Sequence, residues 1–348
     1  MTMNSQEITL STVTPIWTGG ADGKCDRLHV TSIMGSLRWW YEVLVRSVGG
    51  NACDPNKHTC SYDLDKPPDG LCDVCRVFGA TGWSRRFKII ITKEDLEPTG
   101  RRVFTLSRDH PAYYKNPKSQ WYLSSNPRNG TVKLKIIATA PLDKEGKQIF
   151  DPEIIAALIQ FVAHRGSIGA KPQMGLGVMR VVGQQSMQPL LNQLKLIDKL
   201  HQKNIDSKDC REYDELPSLH NMFFAKIRVD QAYATESETF NLKYDLRDMF
   251  RQSFSDKYLR HTIMGTTAKG EERQGAKIMM SYPDKDGMMR IWGWIPRPDP
   301  LRSEILVKIY GLLEGTYGDD FIGWLDFDPD KHNNVLRYLE EFLFKGVE

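Results

Sequence analysis

Ile33-Met34-Gly35-Ser36-Leu37-Arg38, near the start of the chain, is matched 209 residues later by Leu242-Lys243-Tyr244-Asp245-Leu246-Arg247. Each stretch places two apolar residues four apart, the spacing of one helix face. Further along, Val77-Phe78-Gly79-Ala80-Thr81 is matched by Ile263-Met264-Gly265-Thr266-Thr267, now at an offset of 186. The offset falls by 23 residues, and Cys53 to Cys75 inclusive spans 23 residues. One short apolar-plus-glycine match arises easily by chance, but two in the same order, reconciled by a single insertion, indicate a duplicated unit. The second half therefore reads as the first with a cysteine-rich insert removed.

Around the first match, Gln6 to Thr14 alternates as a strand does. A helix follows, with Thr31 or Ser32 as N-cap, apolar residues from Ile33 to Val48, and Gly49-Gly50 as its stop. Strands are expected at Arg86 to Thr92, Arg102 to Leu106 and Val132 to Ala140, and a helix from Asp151-Pro152 to Ala163. A glycine-rich segment, Gly166 to Gly177, leads into a last strand, Val178 to Val182. The second half repeats the order. A strand at Phe223 to Val229 precedes a helix at Thr239 to Phe254 and strands at Ala276 to Tyr282 and Met289 to Ile295. Helical spacing recurs over Pro298 to Leu313 and Asp330 to Phe344, and Gly311, Gly315, Gly318 and Gly323 fall where a second glycine loop is expected. Strand, helix, two strands, helix, strand is the ferredoxin-like order. The expected fold is α+β: two tandem ferredoxin-like (RRM-like) domains with a zinc-binding insertion in the first. The boundaries read as 1–185 with a Cys-rich insert at 49–76, a helical connection and polar linker at 186–217, and a second domain at 218–348.

With 348 residues the chain is long enough for two cores. No apolar run approaches the ~20 residues that span a bilayer. The polar, acidic start lacks the features of a secretory signal, so a cytoplasmic location is expected. Net charge is only +3, yet 13 Lys or Arg face four acids between Arg76 and Lys135, interleaved with Trp83, Phe87, Tyr113, Tyr114, Trp121 and Tyr122. Cations for phosphates beside aromatic faces for bases are what single-stranded RNA requires, although charge runs are commonly just solvated faces.

Cys53, Cys60, Cys72 and Cys75 are separated by six, eleven and two residues. The Cys-x-x-Cys pair brings two thiolates to one tetrahedral ion and the preceding loop offers two more, so a structural zinc is expected. His58 is an alternative to Cys53 or Cys60, and paired disulfides or unrelated free thiols are the rival readings. Cys25 and Cys210 read as ordinary thiols.

Thr31-Ser32-Ile33-Met34-Gly35-Ser36-Leu37-Arg38 resembles the Ser-Ser-Leu-Lys-Gly-x-Leu-Arg signature of RAMP proteins in CRISPR systems, with Met34 standing where the signature has Lys. Gly169 to Gly177 resembles their glycine-rich loop. Gly35 to Tyr41 joined to Cys72-x-x-Cys75-Arg-Val-Phe-Gly79, preceded by Thr14 to Gly20, resembles in particular the first-subunit branch of Cmr (type III-B) effector complexes. The resemblance implies a tandem ferredoxin-like fold and a place near the guide 3′ end. It also implies guide RNA (crRNA), target RNA and other RAMP subunits as partners, with target cleavage belonging to other chains.

The residues themselves fit a binding role. Glycines let backbone N–H groups approach phosphate oxygens, and Arg165 and Lys171 add charge. The expected RNA contacts are Trp17, Arg38, Arg85, Arg86, Arg165, Lys171, Gly175 and Gly177; Arg38 can instead pair with Glu42 at i+4. Helical spacing turns at least one of Trp39 and Trp40 inward. The rival reading is a metal-independent, RNA-processing endoribonuclease with His29 or His164 as general base. A third is a structural cap that touches protein only.

Overall fold

Each half of the chain builds a four-stranded antiparallel sheet with helices on one face. The computed structural model describes residues 4–54, 60–63, 65, 70–100, 103–114, 120–139, 149–202, 216–230, 236–266, 273–298, 300–326 and 335–344. His58 and Cys210 lie outside them.

The first half runs β1 (Ser5–Thr12), α1 (Val30–Ser47), α2 (Asp73–Phe78), β2 (Phe87–Pro98), β3 (Val103–Thr105), β4 (Gln120–Tyr122), β5 (Arg128–Ala138), α3 (Glu153–Arg165) and β6 (Met179–Val182). After α4 (Gln188–Gln202) the second half runs β7 (Met222–Arg228), α5 (Glu236–Ser253), α6 (Lys257–Met264), β8 (Ile278–Met280), β9 (Met288–Trp294), α7 (Leu301–Tyr317) and β10 (Phe321–Asp326), and α8 (Val335–Phe344) closes the chain. The sheets are ordered β2-β5-β1-β6 and β10-β7-β9-β8. In both, the first and third main strands lie side by side at the centre, so both halves are ferredoxin-like. The β3–β4 hairpin is an insertion in the first.

Alternation decides the strand faces. Val132, Leu134 and Ile136 of β5 are buried and lie opposite Leu10, Ile8 and Gln6 of β1. On α1, Leu37, Tyr41 and Leu44 are fully buried one turn apart. Truncating such a leucine costs about 2–5 kcal/mol. The helix starts at Val30 with His29 at the cap, two residues before Thr31 and three before Ser32, the two caps read from sequence. Ser32 already donates its backbone N–H to His29 O at 3.0 Å.

The duplication extends to the turn after the second helix and to the arginine that meets it. Helices α2 and α6 stop at Gly79 (φ 90°, ψ 157°) and Gly265 (φ 75°, ψ 161°), the same backbone conformation. Arg38 reaches Gly79 O at 3.2 Å, and its counterpart Arg247 reaches Met264 O at 3.2 Å. After the turn, Arg86 N donates to Val77 O (2.9 Å) and Lys277 N to Ile263 O (2.8 Å).

The halves share a core. Phe223, Ile227 and Ile291 of the second sheet face α5 and α7, whereas Phe224 and Trp292 face the first half. Trp40 stacks on Phe224 with centroids 6.3 Å apart, and Trp39 meets Trp294 at 5.6 Å. Helix α4, read as part of the connection, buries Leu190, Leu191 and Leu194 in the first core. Helix α8 returns to that core through Leu339, Phe342 and Leu343. The second glycine cluster forms no loop like the first: Gly311 and Gly315 lie in α7, and Gly323 lies in β10, an edge strand that its glycine disguised.

Candidate nucleic-acid interface and metal centre

The signature helix and the glycine loop, 133 residues apart, are bonded to each other. Ser36 Oγ on α1 accepts from Gly169 N at 2.9 Å and donates to Ser32 O at 3.1 Å. The loop then makes a 3-10 turn, Pro172–Met174, which wedges between the two halves. Before it, Lys171 has φ 65°, and among the described residues it is the one non-glycine with positive φ. That conformation costs about 1–2 kcal/mol, and such strain collects at functional positions. It leaves the Lys171 side chain exposed, with its ammonium 5.9 Å from the Trp17 ring centroid.

A cavity flanks each side of the turn. One, of about 610 Å³, is lined by Lys171 from the loop, Trp121 and Tyr122 from β4, Arg247 and Arg251 from α5, and His261 from α6. The other, of about 410 Å³, lies between Ser32, Ser36 and Trp39 of α1, the loop, and Met279 and Trp294 of the second sheet. Gln173 and Ala276 line both, so the two form one furrow along the seam. Among the described residues, none that lines either is acidic. Burial, and then the neighbouring Arg251, lower the Arg247 pKa to about 10, so it stays charged at neutral pH. The Trp121 ring lies 5.6 Å from the Arg247 guanidinium. This furrow offers cations, a lysine on a constrained turn and aromatic faces, the chemistry of a single-stranded nucleic-acid groove.

The structure distributes the residues singled out from sequence. Lys171 lines the furrow. Trp17, only 7% exposed, lies beneath the loop, where it supports Lys171 and presents no open face for a base. Gly175 (φ 86°) abuts the second half: a Cβ there would stand 2.9 Å from Met280 O. At Gly177 a Cβ would stand closer still, against Ile168 O, so both glycines serve close packing. Arg165 turns away from the loop and donates to Phe342 O of α8 at 3.0 Å. Arg85 and Arg86 precede β2, the outer strand of the first sheet, and the Arg86 guanidinium lies 4.1 Å from the Trp83 ring centroid. Neither lines the furrow. Arg247, Arg251 and His261 were not singled out from sequence. The match of Arg38 to Arg247 and the i, i+4 spacing of Arg247 and Arg251 were the available signals.

Arg38 belongs to the cysteine cluster. The sulfurs of Cys53, Cys60, Cys72 and Cys75 lie within 4.8 Å of one another, with Cys53 and Cys75 3.6 Å apart. All four are thiols. A tetrahedron with Zn–S bonds of ~2.3 Å has edges of about 3.8 Å, so this arrangement fits one zinc ion. Cys72 caps α2, its sulfur accepting from Cys75 N at 3.4 Å, and Cys60 accepts from Cys72 N at 3.4 Å. A hydrogen bond from the Cys75 thiol holds the Cys72 pKa below its ordinary value. Arg38 Nη2 is 3.1 Å from Cys75 Sγ and 3.8 Å from Cys53 Sγ, and its Nε donates to Glu42 at 3.1 Å. A guanidinium there offsets the negative charge of a tetrathiolate site. The four cysteines would hold the metal, and its contribution is to fix the insert against α1.

The two candidate bases are apart. His29 Nε2 is 2.8 Å from Asp26 Oδ1. His164 is pushed down to about pKa 4, first by burial and then by Arg290, Arg165 and Lys226. Among the described residues no helix is long and apolar enough to cross a membrane.

A family model described as the RAMP superfamily matches residues 9–180. The chain belongs to the RAMP superfamily. The matched span takes in both the signature helix and the glycine loop, while the opposite wall of the furrow, from α5, α6 and β8, lies beyond it. Among curated proteins none matches the chain. Among solved structures, this RAMP protein is similar to Cmr1 from Pyrococcus furiosus in its apo form, with 15% identity, a TM-score of 0.43, and coverage of 91% of this chain and 98% of that one. It is also similar to a chain of the type III-B Cmr-beta complex bound to cognate target RNA, with 12% identity, a TM-score of 0.44, and coverage of 90% and 100%.

Proposed function

We propose that this RAMP protein is a non-catalytic, RNA-binding subunit of a type III-B (Cmr) CRISPR effector complex in the cytoplasm. It contacts guide RNA, target RNA or both near the guide 3′ end and touches neighbouring RAMP subunits. The observation that carries this reading is the furrow, lined among the described residues by cations and no acid, in which the signature helix and the glycine loop meet Arg247 and Arg251. Lys171, Arg247 and Arg251 neutralise phosphates, while Trp121 and the exposed Tyr122 offer faces to bases. Grip of this kind is independent of sequence, as a subunit serving many guides requires. Domains at 1–185 and 218–348, joined by 186–217, are part of the same proposal. General acid–base cleavage needs a base in reach of the hydroxyl and a cation at the oxyanion. His29 is engaged by Asp26, and His164 lines a different hollow.

The test is the salt dependence of binding to several unrelated single-stranded RNAs. Lys171→Ala and Arg251→Ala should each weaken all of them by similar factors. Each should also reduce the slope of log K against log salt by about 0.7 for every phosphate left without its cation. Unchanged affinity and slope in a folded double variant would remove the furrow as an RNA site, and failure to associate with neighbouring subunits alone would favour a protein-only cap.

A further inference from the structure

A second basic hollow, of about 240 Å³, lies where the C-terminal end of α3 meets β7, β9 and β10. His164 and Arg165 of α3, Lys226 of β7 and Arg290 of β9 line it, with Ile322 and Trp324 of β10 as an apolar wall. The β7–β9 register sets Lys226 directly opposite Arg290. Like charges in that position destabilise a sheet. Arg290 Nη1 donates to Ala163 O at 2.7 Å, and the Arg165 guanidinium sits 5.0 Å from the Phe342 ring centroid, so both are held in place. Arg180 adds its charge at Arg290.

Among the described residues little opposes this charge. Asp284 is the carboxylate there that bears on Lys226 and Arg290, and no described lining residue is acidic. The C-terminus of α3 contributes a partial charge of roughly −0.5, against three full cations. His164 responds by staying neutral, its pKa lowered to about 4 by burial and these neighbours. An arrangement of this kind is repulsive until an anion enters, and a charge-assisted, bidentate acceptor such as phosphate suits Arg290 and Lys226 best. Size narrows the choice. The hollow is smaller than the ~300–1,000 Å³ of small-molecule pockets, so it fits a phosphate group and not a whole nucleotide. Its lining shares none of Lys171, Arg247 and Arg251 with the furrow.

We infer that this hollow binds a phosphate group, held by Arg290 and Lys226, at a site independent of the furrow. The phosphate is either a monoester, as at an RNA end, or a diester within a strand.

Calorimetric titration of the full chain with inorganic phosphate at constant ionic strength should show one saturable site. Lys226→Gln, at an exposed position, should weaken it about tenfold, as removal of one charge-assisted hydrogen bond does. Lys171→Ala and Arg251→Ala should leave it unchanged, even if they abolish binding of long RNA. AMP carries a monoester and ApA only a diester, so whichever binds, and weakens in Lys226→Gln, identifies the source. The proposal is overturned if none of the three probes binds saturably, if Lys226→Gln binds as the parent does, or if Lys171→Ala removes the site, which would move the phosphate into the furrow.

Discussion

Replacing Lys243 by Met is expected to stabilise the protein and to flatten its stability against pH. Lys243 lies on α5 beneath the glycine loop, fully buried, and its Nζ has no hydrogen-bond partner among the described residues. Its favourable neighbours are ring faces, Tyr282 with its centroid at 4.6 Å and Trp121 at 5.4 Å. A desolvated cation–π contact contributes about 2 kcal/mol. Taking an ammonium out of water costs several kcal/mol, so desolvation wins. Burial, followed by the charge of Arg247, accordingly drives the Lys243 pKa well below its ordinary 10.5. Above its lowered folded-state pKa Lys243 is a neutral amine in the folded protein, while the unfolded chain takes up a proton below 10.5. Between the two pKa values the unfolded state binds more protons, so stability rises with pH by about 1.4 kcal/mol per unit. Met has a similar reach and no amine; it should remove that slope and, near neutral pH, add about 1–3 kcal/mol by deleting an unsatisfied buried donor. Urea unfolding of both proteins between about pH 7 and pH 9 measures the difference. Parallel pH slopes, or a Met variant less stable than the parent, would refute the reasoning and show a charged lysine held by the two rings.

Two further outcomes are expected. Freshly purified protein should carry about one equivalent of zinc, and Cys72→Ser should lose it together with order in the insert, as read by metal analysis and proteolysis; absence of zinc in unchelated protein would remove the metal site. Gly175→Ala and Gly183→Ala place Ala at the same φ of 86°, but only Gly175 has backbone within reach, with Met280 O at 2.9 Å and Tyr282 N at 3.1 Å. Each should lose about 1–2 kcal/mol for the left-handed conformation, and Gly175→Ala should lose measurably more as β8 is pushed away; equal urea midpoints would contradict the packing described.

The duplication was legible because it is written in local features: helix periodicity, a stop at glycine, and a strand after it. Gly79 and Gly265 mark the same turn, so aligning them aligned the halves. The cysteine cluster was legible for a similar reason, since ligand chemistry fixes residue type whatever the intervening loop. Long-range placement was not. Trp17 beside a basic loop reads as a stacking face, but burial depends on what lies above it, and sequence spacing is silent on that. Arg165 and Lys171 are near neighbours in the chain, yet the turn at the end of α3 sends them to different hollows. Arg38 read as an RNA contact or a partner of Glu42; it does pair with Glu42, but a turn carbonyl and two thiols from an insert folded back over α1 are partners that spacing does not reveal. Arg247 and Arg251 escaped notice because the second half carries no conspicuous run of charge.

A lone domain of this type leaves one face of its sheet open, and RRM proteins use that face to stack bases. Here the second sheet has spent it: Phe224 and Trp292 lie inside, against the helices of the first half. Hinge motion that widens the seam must therefore wet Trp39 and Trp294 at its rim before it admits anything larger. Indole emission shifts to the red when its ring meets water, so the molecule carries its own optical gauge of opening, with no label attached.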